Sequence, residues 1–193
     1  MKTARIGDWQ QTFTGRMFWP CDPRVEDVCI EDIAHHLALM CRFGGACRVH
    51  YSVAEHSVRV AELVWVRTNG DREASLAGLL HDASEAYLVD IPRPRKRQPD
   101  MDGYRVSEDH ITRVIEAWAR LPRGICDTHV IKAADKTLLM TEARDLLAPA
   151  PAPWGHAQGV PAKPLDEVIR PWSPEVAELA FIVAFGRFGG GRG

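Results

Sequence analysis

Apolar residues recur at helical spacing through most of the chain, and this periodicity constrains the fold more than any other feature of the sequence. From Ile30 onward they return at intervals of three and four residues, beginning with Ile33, Leu37 and Met40. Such spacing places them on one face of an α-helix. Because Gly and Pro clusters separate the periodic runs, the pattern predicts an all-α bundle of about six helices.

Capping and breaker residues set the predicted bounds of the helices. Ser52 followed by Glu55 is a capping box that opens the second helix. Ser173 followed by Pro174 opens the last helix in a similar way. The predicted elements, in chain order, are helices over 30–43, 53–66 and 72–88, an exposed basic loop over 93–103, helices over 104–120 and 127–147, a proline-rich loop over 148–164, and a helix that begins at 173.

The first 29 residues lack the helical pattern and form a predicted N-terminal extension. The stretch "QTFTGRMFWP" is compatible with a small β-hairpin that turns near Thr14-Gly15. Residues 30–188 are predicted to form one domain, since a chain of 193 residues suits a single core. The glycine-rich residues 189–193 are predicted to be a flexible tail.

Composition narrows the class of protein. The net charge of −2 provides no field that would attract nucleic acid or a membrane surface. The sequence has no run of about 18 apolar residues that could span a bilayer, and "MKTARIGDWQQ" lacks the apolar centre of a signal peptide. Five cysteines without a framework pattern indicate reduced thiols, so we expect a cytoplasmic protein.

One group of cysteines permits a second interpretation. Cys41, Cys47 and His50 carry ligand types that zinc prefers. Their spacing fits no familiar structural zinc site, however, and the sequence offers no obvious fourth ligand. A zinc site here is therefore a minor alternative.

Four polar residues interrupt three otherwise apolar helices. They are His56 on the second predicted helix, His81 and Asp82 on the third, and Asp135 on the fifth. Taken singly, a histidine on an apolar face is more often a core residue, and an aspartate is more often a cap or an ion-pair partner. Together, two imidazoles and two carboxylates form a set that suits Mn, Fe, Co, Ni or Zn. A bound cation would also compensate a carboxylate placed beside the core.

The four residues resemble a known signature. The order His, His-Asp, Asp resembles the H…HD…D pattern of the HD-domain phosphohydrolases, and the stretches "AEHSVRVAEL" and "LLHDASEAYLVDIPRPRK" are similar to two of their subfamilies. These are the bacterial 5′-deoxynucleotidases and the phage dATP triphosphohydrolases. The resemblance covers roughly residues 30–147 and implies a helical domain that binds one divalent transition metal through His56, His81, Asp82 and Asp135.

The resemblance also implies catalytic roles for two acids. Glu85 lies three residues after Asp82, on the same face of the predicted helix, and is expected to be the general acid/base. Its alternative is a surface glutamate paired with a lysine. Asp90 is expected to assist Glu85 or to orient the water or the leaving group. Its alternative is a turn residue that bonds the backbone near Ile91-Pro92.

Five further residues are predicted to bind the substrate. In the two subfamilies an Arg-Trp pair precedes the first histidine, and Arg42-Phe43 is its counterpart here. Pro94 resembles a position that shapes the base pocket. Lys96 and Lys132 resemble phosphate-binding positions, with a solvated loop charge and a local ion pair as their alternatives. The neighbours of Lys96 include Arg93, Arg95 and Arg97, which we expect to be mostly solvated, with contact of one of them to a phosphate as the alternative.

These resemblances imply a deoxynucleotide hydrolase. Three cations in addition to a metal suit a triphosphate, so dATP is the first expected substrate, with Mg²⁺ as an additional ion on the triphosphate. The alternatives are a 5′-deoxynucleotidase, a hydrolase of cyclic dinucleotides or of (p)ppGpp, and a non-catalytic sensor of nucleotide or metal. The related families imply a homo-oligomer, either a dimer or a larger ring, and no nucleic-acid partner.

Overall fold

The computed structural model describes residues 4–152 and 162–189, and within them the fold is mostly helical, as predicted. A small antiparallel hairpin precedes the helices. Its strands are β1 (Gln10–Gln11) and β2 (Met17–Phe18). The helices are α1 (Ile30–Leu39), α2 (Val53–Arg67), α3 (Arg72–Leu80), α4 (Glu85–Leu88), α5 (Arg93–Lys96), α6 (Asp102–Trp118), α7 (His129–Leu146) and α8 (Pro174–Phe188).

The predicted N-terminal hairpin is confirmed and it packs on the helices. The backbone amide of Gly15 bonds the carbonyl of Thr12 at 3.0 Å, which closes the turn near the predicted position. Phe18 is fully buried and stacks on Tyr87 of α4, with the ring centroids 3.8 Å apart. The Gln10 side chain also donates to the Tyr87 carbonyl at 3.0 Å. The hairpin therefore covers α4.

Helix α2 lies at the centre of the bundle and contacts α1, α3, α7 and α8. The Ser52 hydroxyl accepts the Glu55 amide at 3.0 Å, so the predicted N-cap is confirmed. Glu55 does not complete the capping box, because its carboxylate accepts the Trp172 amide at 2.8 Å and a guanidinium bond from Arg59. This buried carboxylate thus ties α2 to the segment that leads into α8.

Helices α2 and α3 cross closely at Gly78. A Cβ atom at this position would lie 3.3 Å from Val64 Cγ2 and 3.4 Å from the Ala61 Cα, which is tighter than ordinary packing. The absence of a side chain on Gly78 allows the two backbones to approach. As a result His81, three residues later, lies beside His56 of α2, with the ring centroids 5.3 Å apart.

The third predicted helix is broken at His81 and Asp82, two of the predicted metal ligands. It was expected to continue from Arg72 to Leu88, but α3 ends at Leu80, and four turn residues separate it from α4. The amides of Ala83 and Glu85 bond the carbonyls three residues earlier, at 3.0 Å each. This tighter winding is of the 3₁₀ type, in which side chains three residues apart eclipse one another.

Two other predicted boundaries were wrong. The first helix ends at Leu39 rather than at Gly44-Gly45, because the backbone is already extended at Met40 and Cys41. The expected basic loop over 93–103 contains α5 and a 3₁₀ turn at Pro99–Met101. Proline in the first turn supports each of these short helices, since it lacks an amide that would need a partner there.

The last helix begins as predicted, with the Ser173 hydroxyl accepting the Val176 amide at 3.4 Å. Parts of the predicted proline-rich loop (153–161) and of the predicted tail (190–193) lie outside the described residues. In the part of the chain that the structure describes, no helix has the length and apolar character needed to cross a membrane. The assignment of residues 30–188 to one HD domain stays a prediction.

Candidate metal centre

Three residues from α2 and from the turn after α3 form a group that can hold a metal ion. His56 comes from the first turns of α2, and His81 and Asp82 come from the tight turn after α3. One potential ligand atom from each lies within 4.8 Å of the other two. Among residues 4–152 and 162–189, no other three His, Cys or acidic side chains have ligand atoms this close together.

The two histidines present the same nitrogen to this group. His56 donates its Nδ1–H to Glu142 at 2.6 Å, and His81 donates its Nδ1–H to the carbonyl of Gly78 at 2.8 Å. Both Nε2 atoms are buried and make no hydrogen bond within the described residues. A hydrogen bond donated by Nδ1 fixes the tautomer in which Nε2 carries the lone pair. Both rings are therefore arranged as metal ligands, and the residues present fit a divalent ion.

Asp135 stands at the edge of this group. It comes from α7, and its Oδ1 lies 3.4 Å from His56 Nε2. Asp82 Oδ2 lies 3.6 Å from the same nitrogen. The structure thus brings all four predicted ligands around one point, with Asp135 outside the group whose atoms are all within 4.8 Å of one another.

Charge at this point is set by the surrounding acids. Burial and Arg42 lower the pKa of the His56 imidazole, but Glu142 and Asp135 outweigh them and raise it to about 9. Burial raises the pKa of Asp135, but the adjacent His56 imidazole outweighs this and holds the pKa at about 2. The acids therefore favour a positive charge at the His56 ring, which a proton or a metal ion can provide.

Glu142 is a residue of the candidate site that the sequence analysis missed. It lies two turns after Asp135 on α7, is fully buried, and accepts bonds from the Tyr51 hydroxyl at 2.9 Å and from His56 Nδ1. Arg42 Nη2 lies 3.3 Å from its other oxygen. A buried acid seven residues after Asp135, on an apolar helix face, was the available signal. Its spacing matches no ligand motif, so nothing separated it from a structural ion pair.

A cleft of about 480 Å³ opens beside the metal group. Its lining combines acidic, cationic and apolar side chains. They are Arg42, Phe43, Asp82, Glu85, Asp90, Ile91, Pro92, Arg93, Pro94, Lys96, Asp135 and Leu139. Most of the predicted site residues therefore share one cleft, and half of the lining comes from the single segment 90–96.

Glu85 and Asp90 are acids in this cleft whose pKa values are raised. Glu85 is buried, and burial with the nearby Asp82 charge raises its pKa well above the ordinary value. Burial likewise raises the pKa of Asp90. Lys96 Nζ lies 3.6 Å from Glu85 Oε1 and donates to Glu108 of α6 at 2.6 Å. Glu85 thus lies between an acidic centre and a single lysine, with one oxygen unpaired within the described residues.

Arg42 lines the cleft but is already engaged with acids. Its Nη1 lies 3.4 Å from Asp82 Oδ2, and its Nη2 lies 3.3 Å from Glu142 Oε2. The adjacent Phe43 ring lies 5.4 Å from the guanidinium carbon. The buried Arg42 guanidinium compensates the charges of Asp82 and Glu142, and it also lines the cleft.

The structure does not bring Lys132 to the cleft. Its side chain is 60% exposed and pairs with Asp127, before the start of α7, at 2.6 Å. Arg93 lines the cleft instead, and its side chain is exposed, as expected. Arg93 Nη2 lies 3.4 Å from Asp135 Oδ2. The three-residue spacing predicted that Lys132 and Asp135 share one face of the helix. In the structure Asp135 lines the cleft, whereas the Lys132 side chain is exposed to solvent.

The alternative zinc site gains no support. Cys41, Cys47 and His50 do not form a group with mutually close ligand atoms in the described part of the chain. All five cysteines are free thiols, as predicted. Burial and the neighbouring Cys41 raise the pKa of Cys47 to about 11, which disfavours the thiolate that zinc binds.

Comparison with known proteins relates most of the chain to other bacterial sequences. It is 38% identical over 176 residues to the uncharacterized protein YfdR of Escherichia coli strain K12, which covers 91% of this chain and 92% of that protein. The chain belongs to the YfdR family. It is also 39% identical over 145 residues to the uncharacterized protein RCAP_rcc00048 of Rhodobacter capsulatus, across 72% of each chain. No family model matches the sequence.

Proposed function

We propose that this protein is a metal-dependent phosphohydrolase of 2′-deoxynucleotides. The observation that carries the proposal is the pair of buried, unbonded Nε2 atoms on His56 and His81, beside Asp82, at a cleft that also contains Arg42 and Lys96. The resemblance of the His, His-Asp, Asp pattern to the HD-domain phosphohydrolases supports the same activity. By that resemblance we also expect a homo-oligomer.

His56, His81, Asp82 and Asp135 would hold one divalent transition metal, with Co, Mn, Zn, Fe and Ni as the candidates. When bound, such an ion lowers the pKa of water and polarises a phosphoryl group. The residues behind the ligands fix their orientation. Glu142 holds His56 and the Gly78 carbonyl holds His81, so neither ring needs to reorient when the ion binds.

Glu85 is the proposed general acid/base. It lies on the same side of the tight turn as Asp82, because side chains three residues apart eclipse in 3₁₀ winding. Its unpaired oxygen can exchange a proton with the attacking water or with the leaving group. Asp90, in the same cleft, adds to the negative field at Glu85 and thereby favours its protonated form.

The charge of the cleft suits an anion only when a cation is bound. Three cationic and four acidic side chains line it, so it is slightly negative when all of them are ionised. A divalent ion reverses that sign. Arg93 and Lys96, on either side of Pro94, are then placed to contact phosphate oxygens.

The apolar part of the lining suits a nucleoside. Phe43, Ile91, Pro92, Pro94 and Leu139 share the cleft with the charged residues. Flat apolar surfaces of this kind stack against a base or a sugar, while the charged side holds the phosphates. Phe43 and Pro94 remain the proposed determinants of base choice.

A deoxynucleoside triphosphate is the first candidate substrate, and dATP is the first one to test. Arg42, Arg93 and Lys96 provide three cations beside the metal, which suits the roughly four negative charges of a triphosphate. A deoxynucleoside monophosphate is the second candidate. The position of Lys132 favours it, because one predicted phosphate ligand lies away from the cleft.

The test is a screen of the purified protein with Co²⁺, Mn²⁺, Mg²⁺ and Zn²⁺ against all deoxynucleoside mono- and triphosphates. Release of triphosphate from dATP identifies a triphosphohydrolase, and release of phosphate from dAMP identifies a 5′-deoxynucleotidase. Asp82→Ala, which removes a ligand, should lose both the metal and the activity. Failure of every metal and nucleotide pair, or full metal retention by Asp82→Ala, would refute the proposal.

A further inference from the structure

Val89 has a backbone conformation that its side chain disfavours. It follows α4 directly, with φ 85° and ψ 152°. This region is essentially reserved for glycine, and a β-branched residue there is a conformational outlier. Such strain persists only where the surrounding contacts hold it. Val89 is itself 55% exposed, so packing of its own side chain does not impose the conformation.

Two backbone hydrogen bonds hold Val89 in this conformation. Its amide donates to the Glu85 carbonyl at 2.8 Å, and its carbonyl accepts the Tyr104 hydroxyl at 2.6 Å. The first bond is local to α4. The second comes from α6, fifteen residues along the chain, and joins two separate parts of the fold.

The strained residue determines where the cleft wall begins. Asp90 follows it immediately, and the segment from Asp90 to Lys96 provides half of the cleft lining. At the far end of this segment, Lys96 Nζ lies 5.6 Å from the centre of the Tyr104 ring. The Tyr104 hydroxyl therefore bonds Val89, just before this segment, and the Tyr104 ring lies near Lys96 at its other end.

We propose that Tyr104 is a positioning residue. Its hydroxyl holds Val89 in the strained conformation and thereby keeps Asp90 and the following segment against the cleft. Without this bond, Val89 would relax toward a negative φ angle. The chain after it would then leave in another direction and carry Asp90 away from Glu85. The catalytic consequence rests on the proposed function, whereas the conformational claim does not.

The test combines Tyr104→Phe with Val89→Gly. Tyr104→Phe removes only the hydroxyl, so we expect faster amide hydrogen exchange in residues 89–98 and a kcat for deoxynucleotide hydrolysis lowered about tenfold, which is the typical effect of one hydrogen bond. Because glycine adopts this φ without steric cost, Val89→Gly in the Tyr104→Phe background should restore both values toward wild type. A structural role for Tyr104 alone would not give this rescue.

Ser107→Ala is the matched control, since it removes a hydroxyl from the same helix that bonds only the Gly103 carbonyl among the described contacts. It should leave exchange in residues 89–98 and kcat unchanged. Wild-type exchange in Tyr104→Phe, or a double variant as impaired as the single one, would overturn the inference. If the wild-type protein hydrolyses no nucleotide, the proposed function fails, while the exchange measurements still decide the role of Tyr104.

Discussion

At the scale of single residues, Glu142 shows how the candidate site is organised behind its ligands. One of its oxygens accepts bonds from His56 and Tyr51, and the other faces Arg42. The carboxylate thus orients an imidazole whose other nitrogen points at the metal group. Such outer partners raise the basicity of the ligand and fix its tautomer.

Glu142→Gln should weaken metal binding about 10- to 100-fold, because the amide keeps the shape but loses the charge that supports His56. Isothermal titration of the metal-free protein with Mn²⁺ or Co²⁺ measures this. Tyr51→Phe is the control, since it removes another bond to the same oxygen and leaves the His56 bond in place. Equal affinities of Glu142→Gln and wild type would contradict the assigned role.

Glu85→Gln should retain the metal but lower kcat by about 10²-fold or more, because the amide cannot transfer a proton. Steady-state hydrolysis at saturating metal measures kcat, and metal analysis checks the stoichiometry. Glu108→Gln is the matched variant, since Glu108 is the other carboxylate that meets Lys96 Nζ. Similar losses in both variants would indicate that the lysine pairing, not proton transfer, matters.

Sequence reasoning identified the residues that interrupt an apolar pattern. His56, His81 and Asp82 were found in this way, and the structure places them together. Glu142 was not found, because its role depends on which ring atom it meets across the bundle. Arg93 was not distinguished from Arg95 and Arg97, since its contact with Asp135 of α7 depends on where α5 lies. Contacts of this kind follow from helix packing, which local patterns do not specify.

At the scale of helices, the crossing at Gly78 controls how close the two histidines come. Gly78→Val would place methyl groups against Val64 and the Ala61 backbone, and overpacking of this kind costs about 1–3 kcal/mol. We expect the free energy of unfolding in urea to fall by about that amount and metal affinity to fall with it. The reason is that separating α2 from α3 moves His81 away from His56.

Gly186→Val in α8 is the matched control for Gly78. A Cβ at Gly186 meets no atom within 4 Å, and helix propensities of valine and glycine differ by less than about 0.5 kcal/mol. Its stability and metal affinity should therefore match wild type. If the two variants behave alike, the close crossing at Gly78 does not constrain the site.

The position of Arg93 on α5 leads to a second prediction at the scale of helices, which concerns substrate binding. Arg93→Ala should raise the KM for a triphosphate, by roughly the tenfold typical of a lost charge-assisted hydrogen bond. Lys132→Ala should leave KM unchanged, because that lysine pairs with Asp127 outside the cleft. Measuring KM for dATP in both variants tests the pair. The opposite ranking would restore the sequence-based prediction for Lys132.

The break between α3 and α4 explains the largest error in the predicted secondary structure. The residues Ala83 to Ala86 have good helix formers among them, so a continuous helix was expected. The turn instead winds more tightly, which aligns Glu85 with Asp82 and turns α4 toward the hairpin. Tertiary contacts outweigh propensities that differ by only tenths of a kcal/mol per residue.

At the scale of the whole molecule, the proposed metal joins α2, α7 and the turn after α3. An ion that binds only the folded state stabilises it, by about 2.7 kcal/mol at 100 times its Kd. For a chain of this length we expect Tm to rise by about 5–10 °C. Differential scanning calorimetry with and without Mn²⁺ measures the shift, and Asp82→Ala should show none. An unchanged Tm in the wild type would speak against the site.

The docking of the hairpin on α4 has a consequence for the order of folding. Residues 10–18 leave the ribosome before α4 exists, so they can only find their partner Tyr87 after some seventy further residues have been made. Closing a loop of this length costs entropy, so we expect the contact to form after the local contacts of the helices. Contacts that form after the transition state affect unfolding rates more than folding rates. Removing the Phe18 ring should therefore shorten the lifetime of the native state while the helices assemble at nearly their normal speed.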